Sequence, residues 1–508
     1  MSEKKKTMIS LVTAVLAVGV SVLANFFLSH FVVKEMGEEA NGFAQLANNF
    51  VSYAMLFTIA LNSMAGRFMS IAYYRGEVDK CRKYYSSVVV GNIAIIGVLI
   101  VPAIVCVVKL NRIVNIDTAN VEHVKVLFAC VFLNFFASLC VGFFSLAFFV
   151  KNAQYLQNTI NMVRVLLNAM GLLALFTLFA PKIYYISLIG LVLTVFSIPM
   201  VSFFKRKLLP SVKFSPRDFD FKYIVELILS GIWNTVTQCG NLLMTGFDLL
   251  LSNLLLSPGR MGVLAVAKTV PTFITSLGVS VNSTFAPDLT MSYSQGDRNQ
   301  ILNSLRYSVK CSSFVMSIPL MMLCIYGRSF YTLWMPTMNA KELSLLSTLT
   351  CVAFIPLSGT QTLYNVFTVT NKLKVNSISI VVGGIVNIIS VCLLLRLTSL
   401  DLYAVAGISS LVSILRNLII TVPYSAYVLG LKKHVFFKDV GISVLCCAIS
   451  GVICFAFSRI IVPDTWITLF VSAFVAGVVV AVVLFVVLLN SEEKKKVANK
   501  LRRNHGQS

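Results

Sequence analysis

The chain is a succession of apolar runs, each about 20 residues long, separated by short stretches that carry most of its charge. An α-helix rises 1.5 Å per residue, so about 20 apolar residues match the hydrocarbon thickness of a bilayer. Cutting the runs at charge clusters and Pro/Gly turns gives fourteen candidate spans: 8 to 31, 43 to 65, 86 to 108, 126 to 149, 160 to 180, 183 to 204, 228 to 256, 263 to 285, 311 to 327, 343 to 363, 375 to 395, 402 to 428, 441 to 458 and 466 to 490. The expected fold class is an all-α polytopic membrane protein with about 14 transmembrane helices. Composition agrees, because 57% of the 508 residues are hydrophobic and only 12% are charged, where soluble proteins carry about 25% charge. A soluble globular enzyme is excluded.

The net charge of +22 comes from 42 Lys+Arg against 20 Asp+Glu. In a soluble chain that balance would suggest nucleic acid. Here about 29 of the 42 basic residues fall in the segments on the side of the N-terminus and about 10 on the other. The positive-inside rule then predicts both termini in the cytoplasm, and no nucleic-acid partner is needed to explain the charge. The N-terminal run after Met1 to Lys6 mimics a signal peptide, with Val22-Leu23-Ala24 as a passable cleavage site. Its length favours a first span instead. Most of the twelve cysteines sit inside apolar runs without C-x-x-C spacing or neighbouring His, and read as small core residues rather than a disulfide or metal framework.

The two halves repeat. At an offset of 220, Leu61-Asn62-Ser63 meets Val281-Asn282-Ser283, Gly42 to Ala47 meets Gly262 to Ala267, and Tyr73 to Glu77 meets Tyr293 to Asp297. At 219, Val150, Asn152 and Asn168 meet Val369, Asn371 and Asn387. Six helices separate equivalent positions, so the repeat is parallel, with a site expected between the halves. The organisation read from it is an N-terminal six-helix bundle (1–204), a basic cytoplasmic linker (205–227), a second six-helix bundle (228–428), and two extra helices with a basic tail (429–508).

Polar groups inside spans mark candidate function, since charge in hydrocarbon is costly. Asp248 and Lys268 flank the turn Ser257-Pro258-Gly259 at similar depth, close enough in register for a salt bridge across that hairpin. The pair also reads as purely structural. Asn234, Gln238, Asn241, Thr245 and Asp248 recur at steps of 4, 3, 4 and 3, which is one helical face. The repeat maps Asp248 to Asn25 and Lys268 to Asn48, as expected where two bundles line one cavity. Span 5 presents Asn161, Arg164 and Asn168 on one face, with Arg164 near the cytoplasmic end; Arg416 lies deep in span 12 and reads as a carbonyl or lipid-phosphate partner or as a substrate ligand. Asn134, Ser138, Ser358 and Asn365 read as interhelical glue.

Soluble chemistry is sparse. Asp218-Phe219-Asp220 matches the D-x-D metal motif of glycosyltransferases without an accompanying domain, and no Walker-type loop is present. No catalytic residue, metal site or cofactor is expected. Asn282-Ser283-Thr284 is a glycosylation sequon placed inside span 8, where it is not usable.

Several segments resemble the polysaccharide flippase family, the O-antigen (Wzx-type) branch of the multidrug/oligosaccharidyl-lipid/polysaccharide exporter superfamily. They are Phe247 to Leu251, Gly262 with Ala267, Phe285-Ala286-Pro287, Tyr293 to Asp297, Phe330 to Trp334, Asn387, and Ala404 to Gly407. The family's usual aromatic after the Gly is here Val263-Leu264. The resemblance implies two six-helix bundles around a central cavity, and a cargo of oligosaccharide or polysaccharide repeat unit on undecaprenyl diphosphate, flipped across a bacterial inner membrane by alternating access. It implies Arg164 and Lys268 as diphosphate partners and Asn25, Asn48, Gln238 and Asn241 facing sugar. Asp248 would set Lys268 or couple to an ion such as H+ or Na+. Membrane lipids are the other expected partner. The rival readings are a multidrug cation antiporter of the same superfamily, which would favour acidic cavity groups, and a membrane-embedded polymerase or glycosyltransferase, which generally needs a larger extramembrane loop than any here.

Overall fold

The computed structural model describes residues 3–116, 121–294 and 298–488. Among them the secondary structure is helical, with no strand. Gln295-Gly296-Asp297 of the repeat match and the basic tail beyond Leu488 lie outside the described residues. The chain divides into two compact units, Met1–Val266 and Ala267–Ser508. That division falls later than the linker at which the sequence repeat divides.

The first unit begins with α1 (Glu3–Tyr74). Its 72 residues of helix would extend about 110 Å, far more than one membrane crossing. The run is broken at Gly37, whose φ of 83° and ψ of 170° are not helical, a conformation glycine adopts without Cβ strain. Ser29 donates to Asn41 Oδ1 at 3.2 Å across the break. The next elements are α2 (Val78–Val108), α3 (Leu110–Ile113), α4 (Val121–Val150), α5 (Gln154–Leu178), α6 (Tyr185–Leu208), α7 (Phe221–Asn241), a π turn (Leu242–Gly246) and α8 (Asp248–Leu255). Helix α1 packs on α2, α4, α5 and α7. Gly231 lets α7 close on α1, since a Cβ there would lie 2.2 Å from the Ala60 carbonyl oxygen. Leu61, Met69, Tyr84, Tyr85, Val88 and Leu227 form the buried cluster beneath this interface.

The D-x-D match is structural in this fold. Asp218 forms an ion pair with Arg82 at 2.8 Å, tying the linker to α2. Asp220 caps α7 by accepting the Lys222 amide at 2.9 Å.

Helix α9 (Pro258–Ser294) carries the chain past the division. The second unit continues with α10 (Arg298–Trp334), α11 (Ala340–Cys351), α12 (Phe354–Leu357), α13 (Tyr364–Val369), α14 (Leu373–Leu397) and α15 (Leu402–Arg416). A π turn (Asn417–Thr421) leads to α16 (Val422–Val428), and α17 (Phe437–Ile460) and α18 (Trp466–Leu488) complete it. The last two helices have no partner in the sequence repeat, yet they are not peripheral to this unit. Both pack on α10, where the Tyr326 hydroxyl bonds the Cys454 carbonyl at 3.1 Å and the Ser472 hydroxyl at 2.9 Å.

Twelve helices among the described residues are long and apolar enough to cross a membrane. Two features account for the difference from fourteen. The first candidate, Val12–Tyr74, holds two expected spans either side of Gly37, and the span expected at 228–256 is divided by the π turn. All twelve cysteines are free thiols, buried or half-buried.

The repeat is written into the backbone. Helices α5 and α14 match end to end at an offset of 219. Asn152 (φ 48°) and Asn371 (φ 54°) both stand in the left-handed region, which Asn tolerates better than most residues. Behind each, the following amide bonds back to a repeat-equivalent carbonyl, Ala153 to Phe148 at 2.7 Å and Lys372 to Phe367 at 2.9 Å. Buried polar pairs recur as well. Asn62 and Asn92 exchange amide hydrogen bonds at 2.9 Å, and in the second unit Ser312 donates to Asn282 Oδ1 at 3.1 Å.

Candidate transport site

In the first unit the polar groups expected to line a cavity sit on α1, α5 and α7. Asn25 and Asn48 are exposed, and each amide donates to the carbonyl one turn back, Ser21 at 2.8 Å and Ala44 at 2.9 Å. On α7, Asn234 reaches Ser63 of α1 at 3.3 Å, Gln238 is half-buried and Asn241 is exposed. The stripe expected to run on to Asp248 at α-helical steps does not keep its register. The π turn between Asn241 and Asp248 closes i→i+5 bonds, and the wider turn rotates α8 relative to α7.

That turn is the best-defined feature of the site. Asn49 and Tyr53 of α1 both donate to the Gly246 carbonyl, at 3.1 and 2.8 Å, and Phe247 stacks on the Tyr53 ring at 4.7 Å between centroids. Asp248 opens α8 directly beyond, 3% exposed and within electrostatic range of Tyr53. Sequence reasoning selected Asn48 and missed its neighbour Asn49 and Tyr53. The available signal was their i, i+4 spacing, but a π turn carries no composition mark that would have made it legible.

Arg164 lies on α5, whose start differs from the sequence expectation. Helix α5 starts at Gln154, earlier than the span expected from residue 160. Arg164 is therefore about ten residues, or roughly 15 Å, into the helix. It is half-buried, donates to the Thr194 hydroxyl of α6 at 3.4 Å, and makes no ion pair among the described residues.

In the second unit Lys268 is half-buried on α9. Its carbonyl accepts the Thr272 hydroxyl at 2.8 Å, as the Asn48 carbonyl accepts Ser52 at 3.0 Å, so the two positions mapped onto one another share a local bond pattern. Next to it, Pro271 has no N–H to give the Ala267 carbonyl. Ser347 takes that role at 2.7 Å, with the Tyr331 hydroxyl at 3.4 Å from the same oxygen and 2.6 Å from Ser347. The proline thereby fixes α9 to α10 and α11 beside Lys268. Arg416 is engaged in the protein, donating to the Tyr364 hydroxyl at 2.6 Å and to Thr421 at 3.2 Å beside the second π turn. Asn282 of the sequon donates to Gln361 at 3.1 Å.

Two units of long apolar helices, broken by π turns and prolines at intramembrane polar groups, define a multi-pass membrane protein of transporter fold. That fold is the one seen in structures of multidrug and flippase transporters. The structure of the lipid II flippase MurJ in an inward closed conformation superposes with a TM-score of 0.67, covering 93% of this chain and 98% of that one at 15% identity. An inward-facing multidrug resistance MATE family transporter of the MOP superfamily gives 0.64, covering 82% and 98% at 9% identity. In sequence the chain is similar to the uncharacterized membrane protein EpsK of Bacillus subtilis (strain 168), 29% identical over 491 residues and 96% of each chain. The chain matches no family model.

Proposed function

We propose that the protein flips a lipid-linked oligosaccharide or polysaccharide repeat unit, carried on undecaprenyl diphosphate, across a bacterial inner membrane by alternating access. This is the Wzx-type reading of the sequence resemblance, with both termini cytoplasmic. The observation that carries it is Arg164, a cation about 15 Å into α5 whose partner is the neutral Thr194 hydroxyl rather than a carboxylate. A half-buried guanidinium so placed suits an anionic diphosphate, which it binds through paired N–H donors. Lys268 is the second diphosphate partner. Exposed Asn25, Asn48 and Asn241, with Asn234 and Gln238, supply amides for sugar hydroxyls, and the polyprenyl tail stays in the bilayer. Buried Asp248, at the π turn, sets the conformation around the site or couples it to H+ or Na+.

The test is a strain lacking the gene, assayed for lipid-linked oligosaccharide trapped on the cytoplasmic leaflet. The wild-type gene releases it, and Arg164→Ala and Lys268→Ala do not. Export intact in both variants removes the diphosphate role. Unchanged glycolipid with lost drug resistance replaces the flippase by a cation antiporter.

A further inference from the structure

At the C-terminal end of α6 the first unit contains a cavity of about 490 Å³, lined by Tyr85, Phe144, Lys205, Arg206, Lys213 and Phe214 among others, none of them acidic. Lys205 is only 6% exposed. Its ammonium lies 4.3 Å from the centre of the Tyr85 ring and donates to the Val212 carbonyl. Arg206 and Lys213 are exposed at the rim. Three cations converge on one concave space whose walls offer them aromatic faces and a carbonyl but no carboxylate. Such a space favours an anion.

Its depth says which kind. Helix α6 has 24 residues and extends about 36 Å, so an end that leaves the hydrocarbon enters the headgroup layer. Phe203, Phe214 and Phe221, at 64%, 44% and 66% exposure, surround this end in the manner of an interfacial aromatic belt.

The repeat supplies an independent comparison. The corresponding end of the second half, Val422–Val428, contains no Lys or Arg. Leu305, Leu363, Val422, Ala426 and Phe436 form a buried apolar cluster there. Lys433 stands at the equivalent of Lys213, but Ser425 and Ala426, at the equivalents of Lys205 and Arg206, are buried and uncharged, so the buried cation is particular to the first half.

We propose that this cavity binds the phosphate of an anionic phospholipid headgroup, held by Lys205, Arg206 and Lys213 against Tyr85. The acyl chains lie in the bilayer beside Phe203. The site requires only that the chain spans a membrane and does not depend on the flippase reading.

The full-length protein in phosphatidylcholine nanodiscs, titrated with phosphatidylglycerol and read by native mass spectrometry, tests it. The wild type takes up phosphatidylglycerol in preference to phosphatidylcholine. Arg206→Gln with Lys213→Gln, both at the exposed rim, weakens that uptake about 30-fold, the loss of two headgroup-level cations. Lys432→Gln with Lys433→Gln, the same charge removed from the second half, leaves it unchanged. Equal uptake by the rim variant and wild type overturns the proposal, as does equal loss in the control pair. Displacement of the lipid by an equal concentration of inorganic pyrophosphate also overturns it, assigning the cavity to a free anion.

Discussion

Gly42 and Gly262 pack backbone to backbone: a Cβ built on Gly42 would lie 2.9 Å from the Gly262 Cα, and one on Gly262 would lie 2.5 Å from the Glu38 carbonyl oxygen. The two glycines are repeat equivalents, 220 residues apart, and Gln45 beside them donates to Ala265, its own equivalent, at 3.2 Å. Each helix thus presents the same position of the repeat to the other. Gly262→Ala places a methyl group into backbone that cannot move aside as a side chain would. We expect a loss of about 1–3 kcal/mol, measured as a lower unfolding midpoint in detergent, and a larger loss for Gly262→Val.

At the helix ends where Asn152 and Asn371 hold positive φ, the side chain's tolerance of the left-handed region is what the backbone uses. Asn371→Ala should cost about 1 kcal/mol and Asn371→Gly far less. The same ranking is expected at Asn152. An alanine variant as stable as wild type at both sites contradicts the shared backbone geometry.

The Ala267 carbonyl offers a double-mutant cycle. Ser347→Ala removes its main donor and should cost about 1–3 kcal/mol, the penalty of an underserved buried acceptor. Pro271→Ala restores an N–H to that carbonyl through the helix itself. Ser347→Ala should therefore cost much less in the Pro271→Ala background. Equal costs in both backgrounds mean that the hydroxyl does not replace the missing helix bond.

For the π turn before Asp248, Tyr53→Phe should cost about 1 kcal/mol, and Asn49→Leu with Tyr53→Phe more than the sum of the two alone. Hydrogen exchange locates the effect: amides of residues 242–247 should exchange faster, while those in the middle of α4 keep their wild-type rates. Uniform acceleration across the unit would show that the two side chains hold the global fold rather than this turn.

The sequence was informative where the physics is local or periodic. Apolar run lengths identify spans because hydrocarbon thickness is fixed, and the repeat matched Asn152 with Asn371, which share one left-handed backbone geometry. The site was only partly legible. Asn234, Gln238 and Asn241 do lie together on α7, but extrapolating their period to Asp248 crossed a π turn. The start of α5 was placed late because the helix extends beyond the apolar run that revealed it.

By itself, then, the sequence determined the all-helical membrane class and the two-fold repetition of its elements. Tertiary structure decided how the irregular backbone is satisfied: which hydroxyls cover the Ala267 carbonyl freed by Pro271, and which α1 side chains hold Gly246. It also decided that the extra helices α17 and α18 share a core with α10. Those outcomes depend on side chains far apart in the chain competing for the same unsatisfied oxygen or apolar surface, and no local pattern records which of them wins.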